Sequence, residues 1–301
     1  MIKAYTISGL KALKYLPKLD TVQFTLNHRT FPGKRQTVKA LSEVSRCCES
    51  NIIIHYDFIY IASRFSMFSP QIKDAIMQEI VSIMQYALRN NNIKGIVMHT
   101  DFALKREVFD SPTPEKIQDS YGSNTWDTEL ITSMVQNLNH FTENNLREFY
   151  YTFKEYWDSM DELPFKIYLE NTTKLSKDRQ GSLDHLVQLI DRFGWNDLFG
   201  VCVDTEHYFA TDGECQLFEI IEDLLFKGIT PIVHLNTIPE EVKPKSGKDR
   251  HSNTTIFECS YKDENWYMET MNLLHGMNIL FVREVHEDTM YRELKQLGYE
   301  C

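Results

Sequence analysis

Short runs rich in Val, Ile, Phe and Tyr recur along the chain, and most are separated by stretches long enough for a helix and its loops. Such runs predict β-strands, because branched and aromatic side chains pack well on a pleated surface. Eight are present: Ile2–Ser8, Thr21–Leu26, Asn51–Tyr56, Gly95–Thr100, Pro164–Asn171, Leu198–Thr205, Thr230–Asn236 and Asn278–Glu284. Several are nearly continuous hydrophobics, as expected for parallel strands buried on both faces. The pattern therefore predicts an α/β fold, a TIM (β/α)8 barrel.

Three of the intervening stretches have apolar residues at helical spacing and a polar opposite face. They are Pro70–Asn90, Leu183–Phe193 and Cys215–Phe226. An apolar stripe with this period predicts helices that pack one face against the sheet. We interpret them as outer helices of the barrel.

One interval is longer than a barrel repeat requires. About 63 residues separate Thr100 from Pro164, whereas a βα unit usually takes roughly 30 to 40. The sequence therefore predicts an insertion after strand four, over about residues 103–162, in which Glu129–Asp161 forms one or two helices. Since no linker or repeat interrupts the pattern, we expect a single domain over residues 1–301.

The composition is that of a globular protein, with 42% hydrophobic and 25% charged residues. The N-terminus lacks the apolar stretch of a signal peptide, and no run approaches the roughly 18 apolar residues of a membrane span. We therefore expect an intracellular protein that is neither secreted nor bound to a membrane. The six cysteines contain no CxxC pair, so we interpret them as reduced thiols.

The formal net charge of −11 argues against a uniformly basic surface that grips DNA phosphates. It does not exclude local contacts, because bound divalent cations would neutralise several carboxylates. Three short basic clusters are present, Arg29–Arg35, Lys174–Arg179 and Lys243–Arg250. Solvated loops are the more common explanation for such clusters.

Candidate chemistry lies where the strands end. In a TIM barrel the carboxyl ends of the strands and the loops that follow them form the active site. Six predicted strands end in a residue that binds metals, and three more such residues follow in the next loops: His55, His99, Glu170, Asp204, His207, His234, Asp249, His251 and Glu284.

Nine such residues in one ring favour a metal centre, although a single histidine near a strand end is more often structural. Burying four carboxylates without cations would be costly, because each unpaired buried charge costs roughly several kcal/mol. Imidazole and carboxylate ligands without thiolate suit zinc, with manganese or iron possible, and disfavour calcium and magnesium.

Several strings around these residues resemble the endonuclease IV family of apurinic/apyrimidinic endonucleases. They are YLENT at 168–172, GVCVDTEHYFATDGE at 200–214, VHLN at 233–236 and SGKDRHSN at 246–253. TISGLKAL at the N-terminus, HYDFIY at 55–60 and GIVMH at 95–99 are similar more weakly. The resemblance spans most of the chain except roughly residues 103–162.

The resemblance implies three zinc ions per chain. His55 and His99 would hold the first, and Glu170 would bridge it to a second ion. That second ion would be completed by Asp204, His234 and Glu284, and His207, Asp249 and His251 would hold the third.

The activity implied is hydrolysis of the DNA phosphodiester 5′ to an abasic site, which leaves a 3′-hydroxyl, with removal of blocked 3′ ends in base excision repair. The nucleophile would be a metal-activated water next to Glu170. Arg29 and Arg250 are candidate phosphate contacts. The expected partner is double-stranded DNA with abasic sites, bound by a monomer.

Two departures concern the DNA surface: Phe58 stands where the family often has tyrosine, and Thr100-Asp101-Phe102 replaces a usual proline–glycine turn. One alternative comes from another reaction class, a metal-dependent sugar isomerase or epimerase of the xylose-isomerase type. That class commonly uses one or two ions held mainly by carboxylates, with a lysine or glutamate base. A non-enzymatic DNA-binding descendant is a further alternative.

Overall fold

The computed structural model describes most of the strands, the helices and the loops between them. The described residues are 4–7, 19–26, 34–47, 51–56, 70–100, 113, 140–157, 163–172, 180–238, 240, 242, 244–245, 254–259 and 261–299. The predicted DNA contacts Arg29 and Arg250, the predicted ligands Asp249 and His251, and most of the predicted insertion lie outside them.

Eight parallel strands follow one another around a single sheet, each paired with the next in sequence order. They are β1 (Ala4–Ile7), β2 (Thr21–Leu26), β3 (Asn51–Tyr56), β4 (Ile93–His99), β5 (Lys166–Glu170), β6 (Phe199–Asp204), β7 (Pro231–His234) and β8 (Phe281–Val282). A parallel bridge between Tyr5 and Arg283 joins the first strand to the residue after the last. The sheet therefore closes on itself, and the prediction of an α/β barrel is confirmed.

Helices lie between the strands along the chain, as the periodicity predicts. They are α1 (Lys34–Cys47), α2 (Pro70–Ala87), α3 (Phe141–Trp157), α4 (Leu183–Phe193), α5 (Thr205–Asp212), α6 (Leu217–Phe226), α7 (Glu264–Gly276) and α8 (Glu287–Gln296). Helix α3 lies within the predicted insertion. The single domain and the extent of the insertion remain predictions. Within the described ranges, no helix has the length and apolarity needed to cross a membrane.

Local sequence sets the ends of the helices. In α4, the Ser182 side chain accepts a hydrogen bond from the His185 amide, which caps the helix start. Gly194 ends it with a left-handed backbone at φ 65°, a conformation that costs glycine little because it has no Cβ. The chain then turns through Trp195–Asp197 directly into β6.

One aromatic ring packs between glycines of the two neighbouring strands. Tyr168 on β5 pairs in register with Gly200 on β6. A Cβ atom on Gly200 would stand 2.7 Å from the Tyr168 ring, and one on Gly95 would stand 2.3 Å from it. The two glycines therefore make room for the ring.

A buried ion pair joins the last helix to the point where the barrel closes. Arg283 follows β8 and pairs with Glu293 on α8, and each side chain is only 1% exposed. The Glu293 carboxylate also accepts hydrogen bonds from the Tyr5 hydroxyl and from the Ile256 amide. One charged pair thus connects β1, the end of β8, α8 and the segment that follows the β7 loop.

Candidate metal centre

The carboxyl ends of the strands bring the predicted ligands into one buried cluster. The strand register places His99 beside Glu170 and Asp204 beside His234. The side chains of Glu170, Asp204 and His234 are fully buried, and His55 is 5% exposed. Glu284 lies two residues beyond β8 and is 11% exposed.

Glu170 lies at the centre of this cluster, and its two oxygens face different imidazoles. Oε2 lies 3.4 Å from Nε2 of His55 and 3.6 Å from Nδ1 of His99. Oε1 lies 3.4 Å from Nδ1 of His234 and 3.4 Å from Nδ1 of His207. This is the arrangement required of a carboxylate that contributes one oxygen to each of two neighbouring ions.

A second group of ligand atoms surrounds Nδ1 of His234. This atom lies 3.2 Å from Glu284 Oε2 and 3.6 Å from Asp204 Oδ2. Glu170, Asp204, His234 and Glu284 present ligand atoms within 4.8 Å of one another, as do His55, His99 and Glu170.

These separations fit metal coordination. Nitrogen and oxygen ligands lie about 2.0–2.2 Å from zinc, so two ligands of a tetrahedral ion are about 3.3–3.6 Å apart. The contacts to Glu170 and most of those to His234 are of this length. The donor set is nitrogen and oxygen, which suits a borderline divalent cation. Buried His, Glu and Asp side chains are thus grouped as a metal site requires.

The charge balance of the cluster also calls for cations. Within the described part of the chain, no lysine or arginine forms an ion pair with Glu170, Asp204 or Glu284. Their charged neighbours are histidines, which carry a positive charge only when protonated. Unpaired buried carboxylates cost several kcal/mol, roughly, for each charge. Protons on the imidazoles or metal ions must therefore supply the positive charge.

The directions of the pKa shifts also indicate that the cluster favours positive charge. Burial favours the neutral form of Glu170, but nearby His99 and His234 hold the pKa of its carboxyl well below the usual range. Burial would lower the pKa of His234, yet Cys202, Glu284 and Glu170 together raise it well above the usual value. Burial likewise opposes ionisation of Glu284, and His234 overcomes it by lowering the pKa of that carboxyl. The centre therefore attracts positive charge strongly.

Backbone and amide groups fix the orientation of Asp204. Its Oδ1 accepts a hydrogen bond from the His207 amide at 2.8 Å, which caps helix α5. Its Oδ2 accepts one from Asn236 Nδ2 at 2.7 Å. Asn171 bonds the Asp204 backbone on both sides, through its oxygen and its nitrogen. Such supporting contacts hold a ligand in place before the metal arrives.

His207 is buried beside this cluster. Its Nδ1 donates to the Asn171 carbonyl oxygen at 2.8 Å, because a carbonyl can only accept. In a neutral imidazole Nε2 then carries the lone pair, the state required of a metal ligand. The two residues predicted to join His207 at a third ion, Asp249 and His251, lie outside the described residues.

Four of the described residues that contact the cluster are absent from the sequence prediction: Asn171 and Asn236, which hold Asp204, and also Cys202 and Gln23. Cys202 lies two residues before Asp204 on β6, and its sulfur falls within 4.8 Å of ligand atoms of Glu170 and His234. Burial raises the pKa of the Cys202 thiol to about 12. Gln23 on β2 bonds both His234 and Glu284. The alternation of β6 could have indicated Cys202, since residues two apart share a strand face.

Comparison with known proteins supplies only a fold likeness. No protein-family model and no curated protein matches the sequence. Among solved structures, the chain is similar to the xylose isomerase domain protein from Planctomyces limnophilus, with a TM-score of 0.49 and 12% sequence identity. The likeness covers 98% of this chain and 96% of that one.

Proposed function

We propose that this protein is a zinc-dependent hydrolase that cuts DNA at the phosphodiester bond 5′ to abasic sites. The observation that carries the proposal is the position of Glu170, whose Oε2 faces His55 and His99 while its Oε1 faces His234. Paired metal ions about 3.5–4 Å apart are typical of nucleases and phosphatases, and a carboxylate placed like that of Glu170 could bridge such a pair. The resemblance to endonuclease IV supports the choice of DNA as substrate.

The residues would divide between ions as the resemblance implies. His55 and His99 would hold one ion on the Oε2 side of Glu170, and Asp204, His234 and Glu284 would hold another on the Oε1 side. His207 would join Asp249 and His251 at a third. Manganese or iron could replace zinc at one or more of these positions.

Zinc bound in this way would supply a water ionised near neutral pH and positive charge for the phosphoryl oxygens. The contribution of the protein is positioning. Asn171 and Asn236 hold Asp204, and burial shields the Glu170 and Asp204 carboxylates from bulk water. Hydrolysis then needs no nucleophile from the protein, and removal of blocked 3′ ends is the same chemistry on a related substrate.

Selectivity for abasic sites would follow from the lower cost of flipping a nucleotide that lacks a stacked base. Arg29 and Arg250 would contact phosphates. We expect an intracellular monomer that binds damaged double-stranded DNA.

The test is cleavage of a labelled duplex that carries one tetrahydrofuran abasic analogue, which cannot undergo β-elimination. The wild type is compared with Glu170→Gln and with the control Glu79→Gln, a buried carboxylate on α2 that bonds Tyr56 on the third strand. Metal content is determined on all three preparations. We expect a single cut 5′ to the lesion, lost in Glu170→Gln and retained in Glu79→Gln.

A second candidate is a metal-dependent sugar isomerase or epimerase. Glu170, Asp204, Glu284 and His234 alone form a group of three carboxylates and one imidazole, enough for one divalent ion. His55 and His99 would then have no ligand role. A metal-loaded wild type that cuts no abasic duplex but interconverts aldose and ketose sugars would contradict the hydrolase proposal and establish this candidate.

A further inference from the structure

One buried amide reaches across the barrel to two of the candidate ligands. Gln23 on β2 is fully buried, and the side chains of its strand neighbours Thr21 and Val22 are also buried. Its Nε2 lies 2.7 Å from Glu284 Oε1, and its Oε1 lies 2.9 Å from His234 Nε2. The partners lie 261 and 211 residues away in the chain.

Hydrogen-bond chemistry fixes which way this amide points. An ionised carboxylate can only accept, and a glutamate is ionised at neutral pH. The NH2 group of Gln23 must therefore face Glu284, so its oxygen faces His234. Because an amide oxygen can only accept, Nε2 of His234 must carry the hydrogen.

A hydrogen on Nε2 of His234 determines the state of the other ring nitrogen, Nδ1. In the neutral ring, a hydrogen on Nε2 leaves the lone pair on Nδ1. This atom lies 3.2 Å from Glu284 Oε2, 3.4 Å from Glu170 Oε1 and 3.6 Å from Asp204 Oδ2. A lone pair and three carboxylate oxygens repel one another until a cation lies between them.

The same amide also selects the ligand atom of Glu284. Its hydrogen bond holds Oε1 between Gln23 and His55, whose Nε2 lies 3.8 Å away, so Oε2, which lies 3.2 Å from His234 Nδ1, is the oxygen presented to an ion beside His234. One side chain thus sets a single donor atom on each of two candidate ligands. A hydrogen bond to the far side of a ligating imidazole also makes the ring a better donor.

We infer that Gln23 is a positioning residue for the metal centre, which presents Nδ1 of His234 and Oε2 of Glu284 to an ion shared with Glu170 and Asp204. This inference rests on the metal-binding part of the proposed function and is independent of the reaction catalysed. Gln23 itself has both polar atoms committed to His234 and Glu284, so its role is to orient ligands.

The experiment measures zinc affinity by competition with a chelator, with protein and metal alone. Gln23→Met keeps the size of the side chain and removes both hydrogen bonds. Gln180→Met is the control, because Gln180 is equally buried and bonds the Thr142 amide. We expect zinc to bind one site of Gln23→Met about 10- to 100-fold more weakly, with wild-type affinity in Gln180→Met. Unchanged affinity in Gln23→Met, or an equal loss in both variants, would overturn the inference.

Nitrogen NMR of the zinc-loaded wild type gives a second test that needs no variant. The ring of His234 should carry its hydrogen on Nε2 and bind zinc through Nδ1, and the reverse assignment would also overturn the inference. A wild type that binds zinc but leaves abasic DNA intact would count against the hydrolase alone, because neither measurement uses DNA.

Discussion

Nε2 of His55 lies 3.4 Å from Oε2 of Glu170, and both side chains are almost completely buried. His55 is the penultimate residue of β3, and Glu170 is the last residue of β5, two strands away. His99 lies between them on β4, with its ring 4.7 Å from that of His55. Oε2 of Glu170 therefore faces histidines from two adjacent strands, β3 and β4.

This geometry predicts that the ion on the Oε2 side of Glu170 can be removed without loss of the ion on the Oε1 side. His55→Ala should remove about one equivalent of zinc and leave the ion held by Asp204, His234 and Glu284. Cleavage of the abasic duplex should fall at least about 100-fold, since even the supporting contacts of ligands are worth 10 to 100. Elemental analysis and single-turnover cleavage provide the measurements.

The control for this variant is His275→Ala, an exposed histidine in the last turn of α7. It should keep both the zinc content and the cleavage rate of the wild type. Retention of all zinc by His55→Ala would contradict the assignment of His55 as a ligand.

The stability of the metal-free protein should fall as the pH rises above neutrality. The pKa of His234 is raised above its ordinary value of 6.5, so its contribution is complete below pH 6.5 and is lost as the pH rises through the folded pKa. Each unit of that shift is worth about 1.4 kcal/mol. The pKa values of Glu170 and Glu284 are lowered, so their contributions are present above pH 4.5 and are lost below it.

Urea unfolding of chelator-treated protein at pH 6 and pH 9 measures this effect. The free energy of unfolding should be lower at pH 9, and zinc should abolish the difference because the metal replaces the proton. His234→Asn should remove most of the pH dependence of the metal-free protein. A metal-free wild type that is equally stable at both pH values would exclude the charged His234.

Much of the barrel is predictable from the sequence because buried parallel strands are continuous apolar runs. The predicted bounds of β2 and β3 agree with the observed ones. The last strand is much shorter than predicted, Phe281–Val282 instead of Asn278–Glu284. The Ile279 amide bonds the Leu274 carbonyl, and Asn278 takes a left-handed backbone at φ 57°. These residues end helix α7, and no local pattern distinguishes that ending from a strand.

The site is predictable in part for a similar reason. His99, Glu170, Asp204 and His234 each end a strand, so the barrel fold alone brings them together. The contact of Gln23 with His234 was not predictable, because it depends on a chain separation of 211 residues and on the diameter of the closed barrel.

The close packing around Gly200 predicts that a larger residue at this position destabilises the protein. A Cβ atom there would lie 2.5 Å from the Thr230 carbonyl oxygen as well as against the Tyr168 ring. Gly200→Ala should lower the free energy of unfolding by about 1–3 kcal/mol, the usual cost of overpacking. Urea unfolding of the metal-free protein provides the measurement.

Gly276 offers the matched control, because a Cβ atom there meets nothing within 4 Å. Gly276→Ala should be neutral or stabilising by up to about 1 kcal/mol, since it reduces the freedom of the unfolded chain in a helical position. Equal destabilisation by Gly200→Ala and Gly276→Ala would contradict the tight contact between Gly200 and the Tyr168 ring.

The Arg283–Glu293 pair predicts a large loss of stability when one partner is removed. Glu293→Leu would leave the Arg283 guanidinium buried among Tyr267, Tyr5 and the Leu235 carbonyl oxygen without its counter-charge. Loss of one partner of a buried pair costs about 3–5 kcal/mol. The comparison is the exposed pair between Arg292, the preceding residue of α8, and Glu258, and Arg292→Ala should cost no more than about 1 kcal/mol. Urea unfolding of both variants provides the measurement. Similar losses in the free energy of unfolding would mean that water reaches Arg283. They would also mean that the backbone bridge between Tyr5 and Arg283 opens in solution.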